Sequence, residues 1–148
     1  MSQSLILLDT GPLGLITNRS KNPECQACQQ WFNSLSDRIL LPEICDYELR
    51  RELIRANKLR GLRQLDQLKT TVLYLPITTT VMLKAAELWA KARNEGYPTA
   101  PPEAIDGDVI LAAQALLLQE QGQDTIIATT NVGHLSRFTP ALTWQAIR

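Results

Sequence analysis

The stretch LILLDTGPLGLI, residues 5–16, decides the fold that we expect for this chain. It begins with four apolar residues, Leu5 to Leu8, and such an unbroken run is typical of a strand that is covered on both faces in a parallel sheet. Gly11 and Pro12 then open a helix, because proline suits the first helical turn. Asp9 stands between the two elements, so we expect it at the carboxyl end of a buried strand.

The same alternation of strand and helix continues along the chain. Further short apolar runs predict strands at residues 38–42, 72–76 and 125–130, with an edge strand or helix at 142–147. Helical spacing and start signals predict helices from Pro23, from Glu43 and after a threonine cap at residues 78–80. Strands that alternate with helices imply a three-layer α/β/α fold with a central, mainly parallel sheet.

Three details of the helices are also predicted. The helix from Glu43 runs to Lys58, and Gly61 interrupts the helical pattern there. The helix after residues 78–80 turns three side chains inward, namely Met82, Ala86 and Trp89. Residues 97–102 form an extended loop, and Asp106-Gly-Asp108 precedes a buried helix over residues 109–118.

Composition favours a globular protein of one domain, residues 1–148. Lys plus Arg and Asp plus Glu number 15 each, so the formal net charge is zero and a polyanion would have to meet a local patch. The sequence contains neither a signal peptide nor an apolar stretch of membrane-spanning length, so we expect a cytoplasmic protein with no membrane partner. Its three cysteines are read as ordinary cytoplasmic thiols, because no second pair or nearby histidines complete a zinc site.

Several carboxylates fall where a parallel sheet collects its ligands, outside the carboxyl ends of the strands. Asp9 follows the first strand, Glu48 lies on the helix after the second, and Asp108 stands at the start of the buried helix with Asp106 two residues before it. Carboxylates that meet in one groove repel one another unless a divalent cation lies among them. Oxygen ligands favour Mg²⁺ or Mn²⁺, and such ions can activate water for phosphodiester hydrolysis.

Each acid also has a plain structural interpretation, which the residues leave open. Asp9 and Asp108 are favoured types for capping the helices that follow them. Glu48 is alternatively part of a solvated helix face, paired with Arg51 three residues on or with Arg55. For Asp106 the plain interpretation is an acid in a loop that binds no metal.

Polar and basic residues near these acids are candidates for contacting substrate. Thr10 and Asn131 would position a phosphate or a water molecule, and Arg51 and Arg55 would hold a phosphate backbone. The alternatives are an Asx-turn at Asn131 and a solvated basic face. His134, the single histidine, is read as a structural hydrogen-bonding residue.

Taken together, four motifs resemble the PIN-domain ribonucleases, the fold of VapC-type toxins. They are LILLDTGPL at residues 5–13, ILLPEICDYELRREL at 39–53, IDGDVILAAQAL at 105–116 and IIATTNVGHLSRF at 126–138. The ordered set spans nearly the whole chain and is more specific than any one motif.

The resemblance implies that Asp9, Glu48 and Asp108 bind Mg²⁺ or Mn²⁺ and carry catalysis. It also implies an RNA substrate, a homodimer and, in many relatives, a small antitoxin that blocks the acidic groove. The family often has further acids after its fourth strand, where this chain has Asn131 and His134. That departure weakens a second metal site, for which Asp106 is a candidate replacement.

Three rival functions are weighed against the ribonuclease. A non-catalytic PIN scaffold that binds RNA or a protein partner would explain the missing fourth acid. A phosphoacceptor of the response-regulator kind needs an acidic pair after the first strand and a late lysine, and the chain has neither at those places. A haloacid-dehalogenase-type phosphatase needs a second aspartate at the position of Gly11.

Overall fold

A central parallel sheet organises the chain, as the apolar runs predicted. The computed structural model describes residues 3–96, 102–133 and 135–148. Of the loop predicted at 97–102, residues 97–101 lie outside these ranges, and so does His134. The strands are β1 Leu5–Leu8, β2 Ile39–Pro42, β3 Leu73–Leu75, β4 Thr125–Thr129 and β5 Ala141–Thr143. The helices are α1 Thr10–Thr17, α2 Pro23–Leu35, α3 Glu43–Arg55, α4 Leu59–Thr71, α5 Thr79–Asn94 and α6 Pro102–Glu120.

The sheet has the order β3-β2-β1-β4-β5, and each of its strand pairs is parallel. In its middle, Leu7 of β1 lies opposite Leu40 of β2 and Ile127 of β4. These side chains are almost completely buried, which is why β1 reads as an unbroken apolar run. The expected three-layer α/β/α architecture with a mainly parallel sheet is therefore confirmed. None of the helices in the described ranges has both the length and the apolarity needed to cross a bilayer.

The break between α3 and α4 falls before the predicted position. Helix α3 ends at Arg55, and Asn57 adopts a left-handed conformation with φ of 55°, which asparagine tolerates better than most residues. Gly61, the predicted interruption, lies inside α4. A Cβ there would stand 2.8 Å from Leu53 Cδ2, so this glycine permits close helix packing and does not break the helix.

Helix α5 turns a different stripe inward from the one predicted. Its buried side chains are Val81, Ala85 and Ala92, whereas Met82 and Ala86 are exposed and Trp89 is half-buried. The buried residues pack on small side chains of α6. Because small residues allow the two helices to approach closely, the larger Met82 is left outside, and the prediction for Met82 and Ala86 was wrong.

Helix α6 begins at Pro102, several residues before the predicted start. Proline is well suited to a first helical turn, since its missing N–H has no partner to lose there. Asp106, Gly107 and Asp108 consequently lie within the helix. The prediction that Asp106-Gly-Asp108 precedes the helix was therefore wrong, and so are the alternative interpretations of Asp106 as a loop acid and of Asp108 as the cap.

A buried acid that the sequence did not single out, Asp46, ties α3 to its neighbours. Its side chain is 6% exposed and forms an ion pair with Arg50 at 3.0 Å. The Tyr74 hydroxyl of β3 donates to Asp46 Oδ2 at 2.7 Å, and Lys69 Nζ of α4 lies 3.9 Å from the same oxygen. This network fixes the position of α3 against α4 and the sheet.

Candidate functional site

Asp9 occupies the predicted place at the carboxyl end of β1, where it has two roles. It is the N-cap of α1, because its Oδ1 accepts a hydrogen bond from the backbone N–H of Thr10 at 2.8 Å. Its second oxygen, Oδ2, accepts from the Thr129 hydroxyl at 2.8 Å. Burial raises the pKa of Asp9 above its ordinary value, and the two hydrogen bonds oppose that rise. The alternative that Asp9 caps α1 is therefore correct, but it does not account for the second hydrogen bond, which joins Asp9 to Thr129 at the end of β4.

Glu48 of α3 turns towards the sheet edge. Its Oε1 accepts a hydrogen bond from the Thr10 hydroxyl at 3.1 Å, while its Oε2 lies 4.0 Å from Arg51 Nη2. Burial raises the pKa of Glu48, the Thr10 bond opposes this rise, and the charge of Asp9 adds to it. The alternative interpretation, a solvated helix face on which Glu48 pairs with an arginine, therefore describes only one of its oxygens. Oε2 lies near Arg51, whereas Oε1 faces α1.

Asp108 reaches the same region from α6. Burial, followed by the negative charges of Asp9 and Glu48, raises the pKa of Asp108 to about 6. The charge of Asp9 thus raises the pKa of both other acids, as expected for charges that lie near one another in a poorly solvated groove. The structure brings together the three acids that the sequence proposed.

A cavity of about 250 Å³ opens beside Asp9 and Asp108. Its other lining residues among those described are Thr129, Thr130, Asn131, Gly133 and Leu135. The Thr129 hydroxyl, besides binding Asp9, lies 3.1 Å from the backbone N–H of Asn131, which donates to it. The Asn131 side chain accepts from the Gly133 N–H at 3.1 Å, so the Asx-turn is present even though Asn131 also borders the cavity.

The remaining candidates are exposed, and of these Arg51 lies nearest to the cluster, 4.0 Å from Glu48. Asp106 is exposed and is not among the described residues that line the cavity. Arg51 is exposed and stacks over the Tyr47 ring at 5.1 Å. Arg55 forms an exposed ion pair with Glu52 at 2.9 Å.

Two residues of the site were not predicted. Cys45 is fully buried on α3, with its Sγ 4.0 Å from Asp9 Oδ1. Burial, and then the charges of the three acids, raise the pKa of this thiol well above its ordinary value, so it stays protonated. Gly107 lies against the Glu48 carboxylate. The signal for Cys45 was its spacing, because a residue three positions before Glu48 shares its helix face.

The donor set fits a hard divalent cation. Carboxylate and hydroxyl oxygens are the ligands that Mg²⁺ and Mn²⁺ prefer, whereas the one nearby sulfur is a protonated thiol. Because Gly107 has no side chain, the Glu48 carboxylate can occupy the space beside it. Within the described residues, no three His, Cys, Asp or Glu side chains already stand at metal-ligand spacing. Binding of an ion would therefore draw the three carboxylates closer together.

Comparison with known proteins supplies the family context. The sequence matches the PIN domain family over residues 6–133. No curated protein matches it.

Solved structures with a similar fold include VapC and VapBC proteins. VapBC2 from Rickettsia felis, bound to a DNA fragment from its promoter, has a TM-score of 0.69 and 15% identity over 94% of this chain and 98% of that chain. DNA-bound VapBC from Salmonella typhimurium has a TM-score of 0.68 and 19% identity over 96% and 99%. VapC20 from Mycobacterium tuberculosis, described as a Sarcin-Ricin loop cleaving toxin, has a TM-score of 0.63 and 16% identity over 89% and 93%. At these identities the likeness concerns the fold.

Proposed function

Because this chain belongs to the PIN domain family, matched over residues 6–133, we propose that it is a Mg²⁺- or Mn²⁺-dependent endoribonuclease. The observation that carries the proposal is the cluster of Asp9, Glu48 and Asp108, in which burial raises all three pKa values and the charge of Asp9 raises those of Glu48 and Asp108 further. Such a cluster is costly to the metal-free protein, and a divalent cation would relieve the repulsion. The whole chain, residues 1–148, would act as one catalytic domain.

The proposal gives each residue of the cluster a task. Asp9, Glu48 and Asp108 would hold the ion, which supplies Lewis-acid activation of water and stabilises the leaving oxygen of the phosphodiester. Thr129 orients the Asp9 carboxylate, and Thr10 does the same for Glu48. These hydroxyls orient the two carboxylates before an ion arrives, so the shift that brings them to metal-ligand spacing would start from ordered side chains.

RNA is the substrate that we propose, and the protein would be the toxin of a toxin-antitoxin pair. The solved relatives include a toxin described as cleaving the Sarcin-Ricin loop and several VapBC complexes, which supports this assignment. Arg51 lies close to Glu48 with its guanidinium exposed, so it would contact a phosphate of the bound strand. Arg55 would need to leave Glu52 to do the same. In this proposal the toxin is a cytoplasmic homodimer that a small antitoxin restrains.

The test replaces Asp9 by Asn and follows cleavage of fluorescent RNAs with Mn²⁺ and with Mg²⁺. Asparagine is as good an N-cap as aspartate, so α1 should keep its cap, and circular dichroism should be unchanged. Cleavage should fall to background. The matched control is Asp37→Asn. Asp37 is an exposed acid on the turn before β2, and so lies at the amino ends of the strands, away from the acid cluster. Equal cleavage by the Asp9→Asn variant would remove the metal argument.

A second candidate is a PIN scaffold that binds RNA or a protein partner without cleaving it. It is favoured by Asn131, which stands where the family often has a further acid and whose side chain is engaged in a turn. This candidate predicts no turnover with either ion over a panel of RNAs, while binding in a gel-shift assay persists. Cleavage that Asp9→Asn abolishes would exclude it.

A further inference from the structure

Helix α6 passes directly over Glu48 at Gly107. A Cβ atom at position 107 would lie 2.6 Å from Glu48 Oε2, 3.2 Å from its Cδ and 3.3 Å from its Oε1. Carbon and oxygen atoms that are not bonded do not approach to 2.6 Å, so any side chain at this position would compete with the carboxylate for the same space.

The backbone of α6 gives no reason for a glycine here. Gly107 lies inside the helix, and it is not among the described glycines with positive φ, which are Gly96, Gly122 and Gly133. Alanine is more favourable than glycine in a helix interior. Alanine at position 107 would therefore make the helix itself more stable, whereas only glycine leaves room for the Glu48 carboxylate.

Glu48 is held on its other side by α1, where its Oε1 accepts from the Thr10 hydroxyl at 3.1 Å. The carboxylate thus lies between the first turn of α1 and the bare backbone of α6. We propose that Gly107 is a positioning residue, whose missing side chain allows Glu48 to share one groove with Asp9 and Asp108. This inference rests on the proposed metal-dependent function.

The first test is the metal-free crystal structure of the Gly107→Ala variant. Because Glu48 is a long side chain, it can rotate away from the new methyl group without unfolding the protein. The expected structure keeps α6 and loses the hydrogen bond between Thr10 and Glu48. A Glu48 carboxylate that stays in place overturns the inference, whatever the protein does with metal.

The second test measures Mn²⁺ binding by isothermal titration calorimetry. Disturbing a residue that orients a metal ligand typically weakens metal affinity about 10- to 100-fold, and we expect a loss in that range for Gly107→Ala. Gly14→Ala is the matched control, because its added methyl would stand 3.9 Å from Leu49 Cδ1, an ordinary contact. It should bind Mn²⁺ as the parent protein does.

A double variant distinguishes positioning of Glu48 from a general effect on α6. Glu48→Asp shortens the side chain by one methylene and withdraws the carboxylate from position 107. In that background the added methyl of Gly107→Ala has nothing to displace, so the double variant should bind Mn²⁺ as tightly as Glu48→Asp alone. Losses that multiply would overturn the inference.

Failure of the two proposals can be told apart. A parent protein that binds no Mn²⁺ refutes the proposed function, and the crystal structure still decides whether Gly107 positions Glu48. A parent that binds Mn²⁺, together with a Gly107→Ala variant that binds it equally well, refutes the inference alone.

Discussion

Replacing Asp108 by Asn should make the metal-free protein more stable. Burial and the charges of Asp9 and Glu48 raise the pKa of Asp108 to about 6 from an ordinary value of 3.8. An acid whose pKa is raised by folding binds its proton more tightly in the folded state, so its ionisation destabilises the fold. Asparagine has a similar shape and no charge, and the variant should escape that penalty.

The size of the effect follows from the shift in pKa. About two pKa units correspond to about 3 kcal/mol, since each unit is about 1.36 kcal/mol. Asp108 is partly exposed, and solvent screening reduces the gain to about 1–2 kcal/mol. For a chain of this size, each kcal/mol raises the melting temperature by about 2–4 °C.

The assay is thermal unfolding in EDTA at several pH values. The advantage of the variant should be complete above about pH 6, where the parent's Asp108 is ionised. It should shrink as the pH falls below about 6 and disappear below about pH 3, where the side chain is protonated in both states. Asp106→Asn is the control, because it removes a charge from the same end of α6 at an exposed position. A variant no more stable than the parent at pH 7.5 would refute the reasoning, and so would an advantage independent of pH.

Three further predictions concern the same protein. Mn²⁺ affinity, measured by calorimetry, should fall about tenfold per pH unit below about pH 6, because the ion must displace the proton of Asp108; constant affinity would contradict this. Thr129→Val removes the donor to Asp9 and should weaken Mn²⁺ binding about 10- to 100-fold with the fold retained; unchanged binding would show that the hydroxyl does not position Asp9. Asp46→Ala leaves the Tyr74 hydroxyl without its acceptor, while Arg50 keeps its ion pair with Asp66 at 2.8 Å, so the free energy of unfolding in urea should fall by about 1–3 kcal/mol; a loss below about 0.5 kcal/mol would mean that the network contributes little.

Much of the fold could be predicted because its signals are local. The run from Leu5 to Leu8 is apolar throughout since both faces of β1 are covered. Pro23 and Thr78 mark the starts of α2 and α5 by ordinary capping chemistry. The predictions failed where packing between helices decides which side chains are buried. The inward stripe of α5, wrongly assigned to Met82, is set by the close approach of α6.

The residues of the candidate site likewise fall into those that local sequence signals predict and those that depend on packing between elements. Asp9 follows β1 and Glu48 lies on the helix after β2, so both could be proposed because parallel strands bring their carboxyl ends to one edge. Asp108 could be added from its place at the start of a buried helix and from the motif IDGDVILAAQAL. The contact of Gly107 with Glu48 could not, because it depends on how α6 crosses α3, and nothing in the local sequence encodes that crossing. Asp46 escaped notice because an acid between Cys45 and Tyr47 looks like an exposed helix residue until its partners are placed.

The order of the sheet bears on how the protein is synthesised. β1 is made first, yet one of its two neighbours is β4, and the hydrogen bond from Thr129 to Asp9 joins residues 120 positions apart. A nascent chain therefore holds its first strand with one edge unpaired until β4 has left the ribosome. The Thr129 hydroxyl cannot reach Asp9 before that point, so translation delays completion of the acidic groove.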